Sequence, residues 1–284
     1  MSSIPSFRDP RWSEWAARAR RNGSSGEDVF ATMRRRGFGV GFAREAAFGK
    51  DAPDGANLTA LDGSGRTQRY GALAATAITQ ADTAGLTRIL TKKAQLYRWD
   101  GFLPEDTCAD IIALSETSLA RSTTVAESKI DPTRTSETSQ VGTMDNDLVK
   151  QADAAISKAL GVSLNFSEPI QAQKYSPGQE YKAHYDYFYP GSADYDSYGK
   201  DMGQRTWTFM IYLNEGCEGG GTRFRKLDKT FQPKTGRAII WNNLTDTGDP
   251  NPFTLHQGMK VRAGVKYVIT KWFRDKGDGD VFAV

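Results

Sequence analysis

The sequence is poor in several features that mark common functional classes. Its 284 residues include only two cysteines, Cys108 and Cys217, which lie far apart without a Cys-x-x-Cys spacing. A disulfide framework or a zinc knuckle is therefore not expected. No apolar run is long enough to span a membrane, the N-terminus has no apolar signal region, and a net charge of +3 gives little attraction for nucleic acid. These absences predict a globular cytoplasmic protein without a membrane or nucleic-acid partner.

The chain divides by composition into four segments. Residues 1–50 have helical periodicity, with Pro10 at a first helical position and an apolar stripe through Trp12 and Trp15. Residues 51–95 are rich in Gly, Ala, Thr, Asp and Ser, which is typical of a linker or loosely packed segment. Residues 96–276 combine helices with many short strands, and we interpret residues 277–284 as a tail. This order predicts an α+β chain with a mainly β core, a double-stranded β-helix (jelly roll) with flanking helices and a small N-terminal helical region.

The two histidines are scarce and informatively placed. His184 lies two positions before Asp186 in a run of strand-forming residues. Successive side chains of a strand point to opposite faces, so these two share a face about 6 to 7 Å apart and can reach one metal ion. His256 is the only other imidazole in the chain. Two histidines and one carboxylate form the facial triad of non-haem Fe(II) oxygenases, which leaves the other side of the ion open for a cosubstrate and O₂.

Lys266 is a charged residue on a strand face that is otherwise mostly apolar. The strand predicted over residues 265–273 puts it on the same face as Val268, Thr270 and Trp272. If that face is buried, an unpaired ammonium there costs several kcal/mol. A dicarboxylate cosubstrate would supply the missing counter-ion.

Three further segments carry structural expectations. The strand predicted from Thr206 to Leu213 alternates large apolar residues with Thr, Met and Tyr, which predicts a half-buried strand. Residues His256 to Arg262 are expected to form one strand. The tract from Tyr185 to Met202 is rich in Tyr, Asp, Ser and Gly, and we interpret it as a lid over a substrate entrance.

Several motifs occur together in an order that resembles a known family. The order is Tyr175, then His184-x-Asp186, then His256 followed ten positions later by Lys266. Further pieces occur in the same order, namely Arg134-Thr-Ser136, Gly203-Gln-Arg205, Glu218-Gly-Gly-Gly-Thr222 and Thr270-Lys-Trp272. As a set they resemble the catalytic domain of prolyl 4-hydroxylases, a branch of the Fe(II)- and 2-oxoglutarate-dependent dioxygenases. The resemblance extends from about Tyr97 to Arg274.

The resemblance implies a role for each matching residue. His184, Asp186 and His256 would hold Fe(II), and 2-oxoglutarate would chelate the same ion. Lys266 would bind the distal carboxylate of 2-oxoglutarate, assisted by the hydroxyls of Tyr175 and Thr222. Consumption of O₂ would convert 2-oxoglutarate to succinate and CO₂ and hydroxylate an unactivated C–H bond, with ascorbate as a reductant.

The resemblance also implies substrate residues, but the sequence departs from the family beside them. Tyr181, Arg205 and Trp272 fall at positions that line the substrate side in prolyl hydroxylases. Gly221 replaces the acidic residue usual before Thr222, and basic residues follow where the family has a proline and apolar residues; these are Arg223, Arg225 and Lys226. Three hypotheses stay open: a hydroxylase of a prolyl peptide, a biosynthetic hydroxylase of a free or carrier-bound cyclic amino acid, and a non-catalytic jelly-roll binding module.

Overall fold

The computed structural model describes most of the chain, with gaps at the N-terminus and in several loops. The described residues are 10–23, 26–35, 40–49, 70–79, 81–122, 133–189, 192, 195–199, 202–245, 247–278 and 280–282. Within these ranges no helix combines the length and the apolar composition that a membrane crossing needs.

Three N-terminal helices bury a small core of their own. They are α1 (Pro10–Arg21), α2 (Gly26–Arg35) and α3 (Val40–Phe48). Phe30 and Met33 of α2 are fully buried between the helices, together with Ala16 of α1 and Ala47 of α3. The helical prediction for this region is confirmed over these ranges. The first residue of α2, Gly26, has no room for a side chain, because a Cβ there would lie 2.4 Å from the Phe48 ring.

The main structural feature is a large antiparallel sheet of eight strands. Its order is β1-β2-β11-β7-β14-β5-β4-β3. The strands are β1 (Leu86–Arg88), β2 (Leu96–Trp99), β3 (Ala120–Arg121), β4 (Glu137–Ser139), β5 (Gln171–Tyr175), β7 (Arg205–Tyr212), β11 (Ala238–Asn242) and β14 (Lys266–Arg274).

A small sheet of four strands faces the large one. Its order is β10-β9-β12-β6, with β6 (Tyr181–His184), β9 (Thr222–Phe224), β10 (Lys229–Phe231) and β12 (His256–Gly258). A separate pair joins β8 (Glu218–Gly219) to β13 (Val261–Ala263). The single strand predicted over His256 to Arg262 is therefore wrong, because the chain leaves the small sheet after Gly258 and pairs elsewhere from Val261. The two facing sheets confirm the jelly-roll prediction.

Two helices cover the outer face of the large sheet. They are α4 (Glu105–Glu116) and α5 (Asp147–Leu160). The side chain of Asn146 caps α5 by accepting from the Leu148 amide, and Gly161 ends it in the left-handed region with a φ of 78°. Short 3₁₀ turns lie at Ala77–Thr79, Val141–Thr143, Leu164–Phe166 and Pro252–Thr254, and a π-helical turn lies at Tyr195–Gly199.

Strand β7 is buried on both faces, contrary to the half-buried prediction. Trp207 and Phe209 pack in the core beneath the helices, whereas Met210 and Tyr212 pack in the core between the two sheets. All eight residues of the strand are buried. The alternation in the sequence distinguishes two different buried environments, and neither face meets water.

Part of the segment predicted as a linker belongs to the main core. Tyr70, Leu73 and Ile78 are buried with the residues of α4 and α5, and the Tyr70 hydroxyl donates to Asp275. Residues 70–79 therefore contribute to the core, whereas residues 81–93 are mostly exposed and residues 51–69 lie outside the described residues. The predicted tail is also partly held, because Phe282 forms a β-bridge with Val162.

Candidate active site

The two histidines and the aspartate of the predicted triad meet at one point. Antiparallel pairing of β12 with β6 places His256 directly opposite His184, and Asp186 follows β6. The Nε2 atoms of the two histidines lie 3.6 Å (His184) and 3.9 Å (His256) from Asp186 Oδ1. One ligand atom from each residue lies within 4.8 Å of the others. This donor set fits a divalent metal ion with imidazole and carboxylate ligands.

Backbone carbonyls fix the orientation of both imidazole rings. His184 Nδ1 lies 2.8 Å from the Lys182 carbonyl oxygen, and His256 Nδ1 lies 2.9 Å from that of Thr254. A carbonyl oxygen only accepts, so each Nδ1 carries the hydrogen and donates it. The lone pair of each ring is then on Nε2, which is the atom that faces Asp186.

Asp186 is buried and held by a chain of polar side chains. Its Oδ2 accepts from Thr208 Oγ1 at 2.7 Å, and Thr208 Oγ1 accepts from Asn243 Nδ2 at 2.8 Å. Asn243 Oδ1 in turn accepts from Trp241 Nε1 at 2.9 Å. Although burial raises the pKa of Asp186, the neighbouring His256 and His184 hold that pKa well below its usual range. The carboxylate is therefore ionised, and Oδ1 is directed toward the histidines.

His256 lies in an aromatic environment that keeps it neutral. Its ring stacks on Phe224 at 5.5 Å between centroids and meets the Trp241 ring edge-on at 4.7 Å. Burial and the nearby His184 lower the pKa of His256 to about 4. A neutral imidazole is the form that binds a metal ion.

The triad opens into a cavity of about 630 Å³ between the two sheets. Lys266 lines the cavity with Val268, Thr270 and Trp272, so the predicted shared face of β14 is confirmed. Lys266 is 2% exposed, and its Nζ lies 4.5 Å from the centre of the Tyr175 ring. Within the described ranges, no carboxylate pairs with this ammonium. Burial lowers the pKa of Lys266 to about 8. A buried cation of this kind marks a binding place for an anionic group.

Tyr175 and Thr222 also line the cavity. Tyr175 is directly opposite Lys266 in the pairing of β5 with β14. Thr222 is 2% exposed, and its Oγ1 accepts from the Tyr212 hydroxyl at 2.7 Å. The structure therefore places all three residues predicted for 2-oxoglutarate in the lining of the cavity, with Tyr175 and Lys266 on the large sheet and Thr222 on the small one.

Arg205 and Trp272 line the cavity near the half-buried carboxylate of Glu168. Arg205 donates through Nε and Nη2 to the two oxygens of Glu168, each at 2.6 Å, and its guanidinium carbon lies 4.1 Å from the centre of the Trp272 ring. Arg274 Nη1 donates to the same carboxylate at 2.6 Å. The predicted contact of Arg205 with a substrate thus competes with an existing bidentate ion pair.

Tyr181 lies against the triad, and Arg134 lies behind it. The Tyr181 ring stacks on His184 with centroids 3.5 Å apart, and the guanidinium carbon of Arg134 lies 5.2 Å from the Tyr181 ring centre. Arg134 is 7% exposed and donates to the hydroxyls of Ser136 and Thr138. No carboxylate pairs with Arg134 in the part of the chain that the structure describes.

The sequence reasoning missed four residues that shape this site. They are Glu168, Thr208, Asn243 and Arg274. The polar face of the predicted strand β7 contained a signal for Thr208, since a buried threonine needs a hydrogen-bond partner. Glu168 lies in the connection that follows Phe166, far in sequence from Arg205 and Arg274, and no local pattern indicated it. Arg134 belongs to one of the sequence motifs, but the sequence predicts no role for it.

The chain is similar to proteins of one oxygenase superfamily. Residues 170–274 match the model of the 2OG-Fe(II) oxygenase superfamily. The chain is 33% identical over 132 residues to a putative prolyl 4-hydroxylase of Acanthamoeba polyphaga mimivirus, covering 46% of this chain and 54% of that protein. It is 30% identical over 181 residues to prolyl 4-hydroxylase subunit alpha-1 of Caenorhabditis elegans, covering 62% and 32%. A viral collagen prolyl hydroxylase structure from Paramecium Bursaria Chlorella virus-1 is 28% identical, with a TM-score of 0.49, covering 63% and 95%.

The chain spans about half of the mimivirus relative and about a third of the nematode one. The matched segment contains both histidines, Asp186 and Lys266. On these matches, residues 170–274 are similar to the 2OG-Fe(II) oxygenase superfamily, and the two curated relatives that the chain resembles are named prolyl 4-hydroxylases.

Proposed function

We propose that this protein is an Fe(II)- and 2-oxoglutarate-dependent dioxygenase that hydroxylates a prolyl or proline-like residue of a peptide. One observation supports this most strongly. A single cavity contains three convergent metal-ligand side chains and, on its wall, a buried lysine with no carboxylate partner among the described residues. A metal alone does not explain Lys266, and an anion alone does not explain the triad. A dicarboxylate cosubstrate that also binds the metal accounts for both.

His184, Asp186 and His256 would hold Fe(II) through Nε2, Oδ1 and Nε2. Bound Fe(II) and 2-oxoglutarate would supply the oxidising chemistry, in which one O₂ converts 2-oxoglutarate to succinate and CO₂ and adds one oxygen atom to a substrate C–H bond. Ascorbate would keep the iron in its reduced form. The carbonyls of Lys182 and Thr254 keep both Nε2 lone pairs directed at the metal position, and Thr208 keeps Asp186 Oδ1 there.

Lys266 would bind the distal carboxylate of 2-oxoglutarate by charge-assisted hydrogen bonds, with the hydroxyls of Tyr175 and Thr222 beside it. Burial strengthens this interaction because water does not compete for the ammonium. The anion also offsets the cost of keeping Lys266 charged inside the cavity.

The substrate would enter at the side formed by Tyr181, Arg205 and Trp272. The Trp272 ring offers a flat apolar surface for a five-membered ring, and the indole Nε1 is buried without a hydrogen-bond partner among the described residues. Because Glu168 already takes two donors of Arg205, this guanidinium suits a neutral carbonyl better than a second carboxylate. That preference favours a peptide.

The test is succinate formation from 2-oxoglutarate with Fe(II) and ascorbate, in the presence of proline-rich peptides, free proline or pipecolate, followed by mass analysis of the substrate. We expect one peptide to stimulate succinate formation and to gain one oxygen atom. Asp186→Ala should abolish both. A non-catalytic binding module would instead be supported if the native protein formed no succinate and showed no Fe(II)-dependent binding of 2-oxoglutarate, and if Asp186→Ala left the metal content unchanged.

A biosynthetic hydroxylase of a free or carrier-bound cyclic amino acid is the second candidate, and Arg134 favours it. A buried guanidinium without a carboxylate partner in the described residues would bind the carboxylate of a free amino acid. Stimulation by proline or pipecolate but by no peptide would select this candidate.

We also propose that residues 1–50 form a helical module separate from a dioxygenase domain over residues 96–276, and that the protein is cytoplasmic. The separate buried cluster of α1 to α3 supports the module. The two cysteines support a reducing compartment, since both are free and they pack in different clusters. Limited proteolysis and cell fractionation test the two proposals.

A further inference from the structure

The hairpin formed by β9 and β10 carries a concentration of positive charge next to the cavity. Residues 222–231 contain four cations and one carboxylate, namely Arg223, Arg225, Lys226, Lys229 and Asp228. Its residues Thr222, Phe224 and Phe231 are buried, whereas all five charged residues are exposed. Nothing in the proposed metal or cosubstrate chemistry uses these charges.

The turn of this hairpin forms hydrogen bonds with both chain segments that carry the metal ligands. The Arg225 amide donates to the Leu255 carbonyl at 2.9 Å, and Leu255 precedes His256 and lines the cavity. Lys226 Nζ donates to the Tyr185 hydroxyl at 3.0 Å and lies 5.7 Å from the centre of that ring. Tyr185 lies between His184 and Asp186 and also lines the cavity. The backbone of Arg225 and the ammonium of Lys226 therefore contact two cavity-lining residues, which places this turn at the rim of the cavity.

These two rim cations differ from their neighbour Arg223 in their charge partners. Arg223 Nη2 binds Asp228 Oδ1 at 3.1 Å, which neutralises that pair. Neither Arg225 nor Lys226 has a carboxylate partner among the residues that the structure describes. Asp186 is the only carboxylate among the residues that line the cavity, and a bound metal ion would neutralise it. A substrate approaching this rim meets an unbalanced positive potential.

We propose that Arg225 and Lys226 form a recognition surface for acidic side chains that flank the target residue in a peptide substrate. This inference rests on the proposed peptide hydroxylation and adds the chemistry of the substrate around the reacting residue. An acidic residue a few positions from the target would lie at the rim while the target residue lies in the cavity. Two exposed charge pairs of this kind correspond to roughly a three- to tenfold gain in affinity at low salt.

The test uses two fluorescently labelled peptides with one proline each, flanked either by glutamates or by the isosteric glutamines. Anisotropy gives the affinity of each, and succinate formation gives kcat/KM. We expect the glutamate peptide to be preferred about three- to tenfold. The preference should shrink as ionic strength rises to about 0.15 M, where the screening length is about 8 Å.

Charge reversal at the rim provides the decisive variant. Arg225→Glu combined with Lys226→Glu should reduce the ratio of glutamate to glutamine peptide to one or below. The matched control is Lys150→Glu combined with Lys158→Glu, which changes the net charge equally on the exposed face of α5. The control should keep the preference of the native protein.

Equal affinity for both peptides, or an equal loss of preference in the two double variants, would overturn this proposal. The peptide-binding measurement does not depend on turnover. A glutamate preference that depends on Arg225 and Lys226 would therefore stand even if neither peptide were hydroxylated, in which case the proposed function alone would fail.

Discussion

Strand β14 contains three buried cations, and they differ in what balances their charge. Lys271 is 2% exposed and lies on the helix side of the sheet, where its Nζ pairs with Asp153 of α5 at 2.8 Å. Arg274 pairs with Glu168. Lys266, equally buried, faces the cavity and has no carboxylate partner within the described residues. Lys271 and Arg274 therefore have structural partners, whereas Lys266 needs a ligand to balance its charge.

The largest expected effect comes from replacing Lys266 and Lys271, one at a time, by methionine. Lys266→Met should raise the KM for 2-oxoglutarate about 100- to 1,000-fold, because the distal carboxylate is left buried without its cation. The same change should stabilise the ligand-free protein against urea, because it removes an uncompensated buried charge. Lys271→Met should do the opposite: it should destabilise the protein by about 1 to 3 kcal/mol by leaving Asp153 unpaired, with the KM for 2-oxoglutarate unchanged. Equal effects of the two variants would contradict the distinction.

Glu168→Gln tests the second balanced cation. The change leaves Arg205 and Arg274 sharing a neutral amide, so we expect a loss of about 2 to 4 kcal/mol in the free energy of unfolding. In protein that remains folded, kcat/KM for the peptide should fall while the KM for 2-oxoglutarate stays constant. Glu116→Gln is the control, since Glu116 pairs with Lys174 at the surface and should cost less than about 1 kcal/mol. A change in the KM for 2-oxoglutarate would contradict the assignment of Lys266 to 2-oxoglutarate and of Arg205 to the substrate as separate binding places.

Thr208→Val tests the polar support of the metal ligands. Loss of the hydroxyl leaves Asp186 Oδ2 and Asn243 Nδ2 without their shared partner. We expect the Fe(II) affinity to fall about 10- to 100-fold, as for other residues that orient metal ligands. Thr206→Val is the control on the same face of β7, because the Thr206 hydroxyl donates to the Phe273 carbonyl instead. Isothermal titration with Fe(II) under anaerobic conditions measures both.

The smallest expected effect is a pH dependence of 2-oxoglutarate binding. Burial lowers the pKa of Lys266 to about 8 in the ligand-free protein, so the ammonium is lost as pH rises through that value. The KM for 2-oxoglutarate should therefore rise roughly tenfold between about pH 7 and pH 9. The unfolded chain binds this proton up to the ordinary lysine pKa, so the group makes the ligand-free protein more stable as pH rises above 8. Lys266→Arg should flatten the KM profile, and a profile that stays steep would assign the titration to another group.

The pairing of His184 with Asp186 and the cavity-facing position of Lys266 were predictable from strand periodicity, whereas His256 was identified as the only other imidazole in the chain. An i, i+2 spacing puts His184 and Asp186 on one face, and the same rule put Lys266 on the cavity face of β14. Both predictions needed only local geometry and the cost of a buried charge.

Other features depended on contacts between distant segments, which local pattern does not contain. The alternation in β7 showed that its two faces differ, but only the helices on one side and the small sheet on the other bury both of them. Composition assigned residues 51–95 to a linker, yet Tyr70 is buried by contacts with Asp275 at the far end of the chain. Glu168 acquires its role only because the fold brings Arg205 and Arg274 to it.

The pairing of His184 with His256 has a consequence for the order of folding. These ligands lie on β6 and β12, far apart in the chain but directly opposite each other in the small sheet. Long-range strand pairing of this kind carries a large loop-closure cost and forms late, so a complete metal site exists only after most of the fold is assembled. We therefore expect Fe(II) to slow unfolding while leaving the refolding rate unchanged. Stopped-flow measurements of both rates, with and without Fe(II), test this expectation. Faster refolding in the presence of Fe(II) would mean that the site forms early.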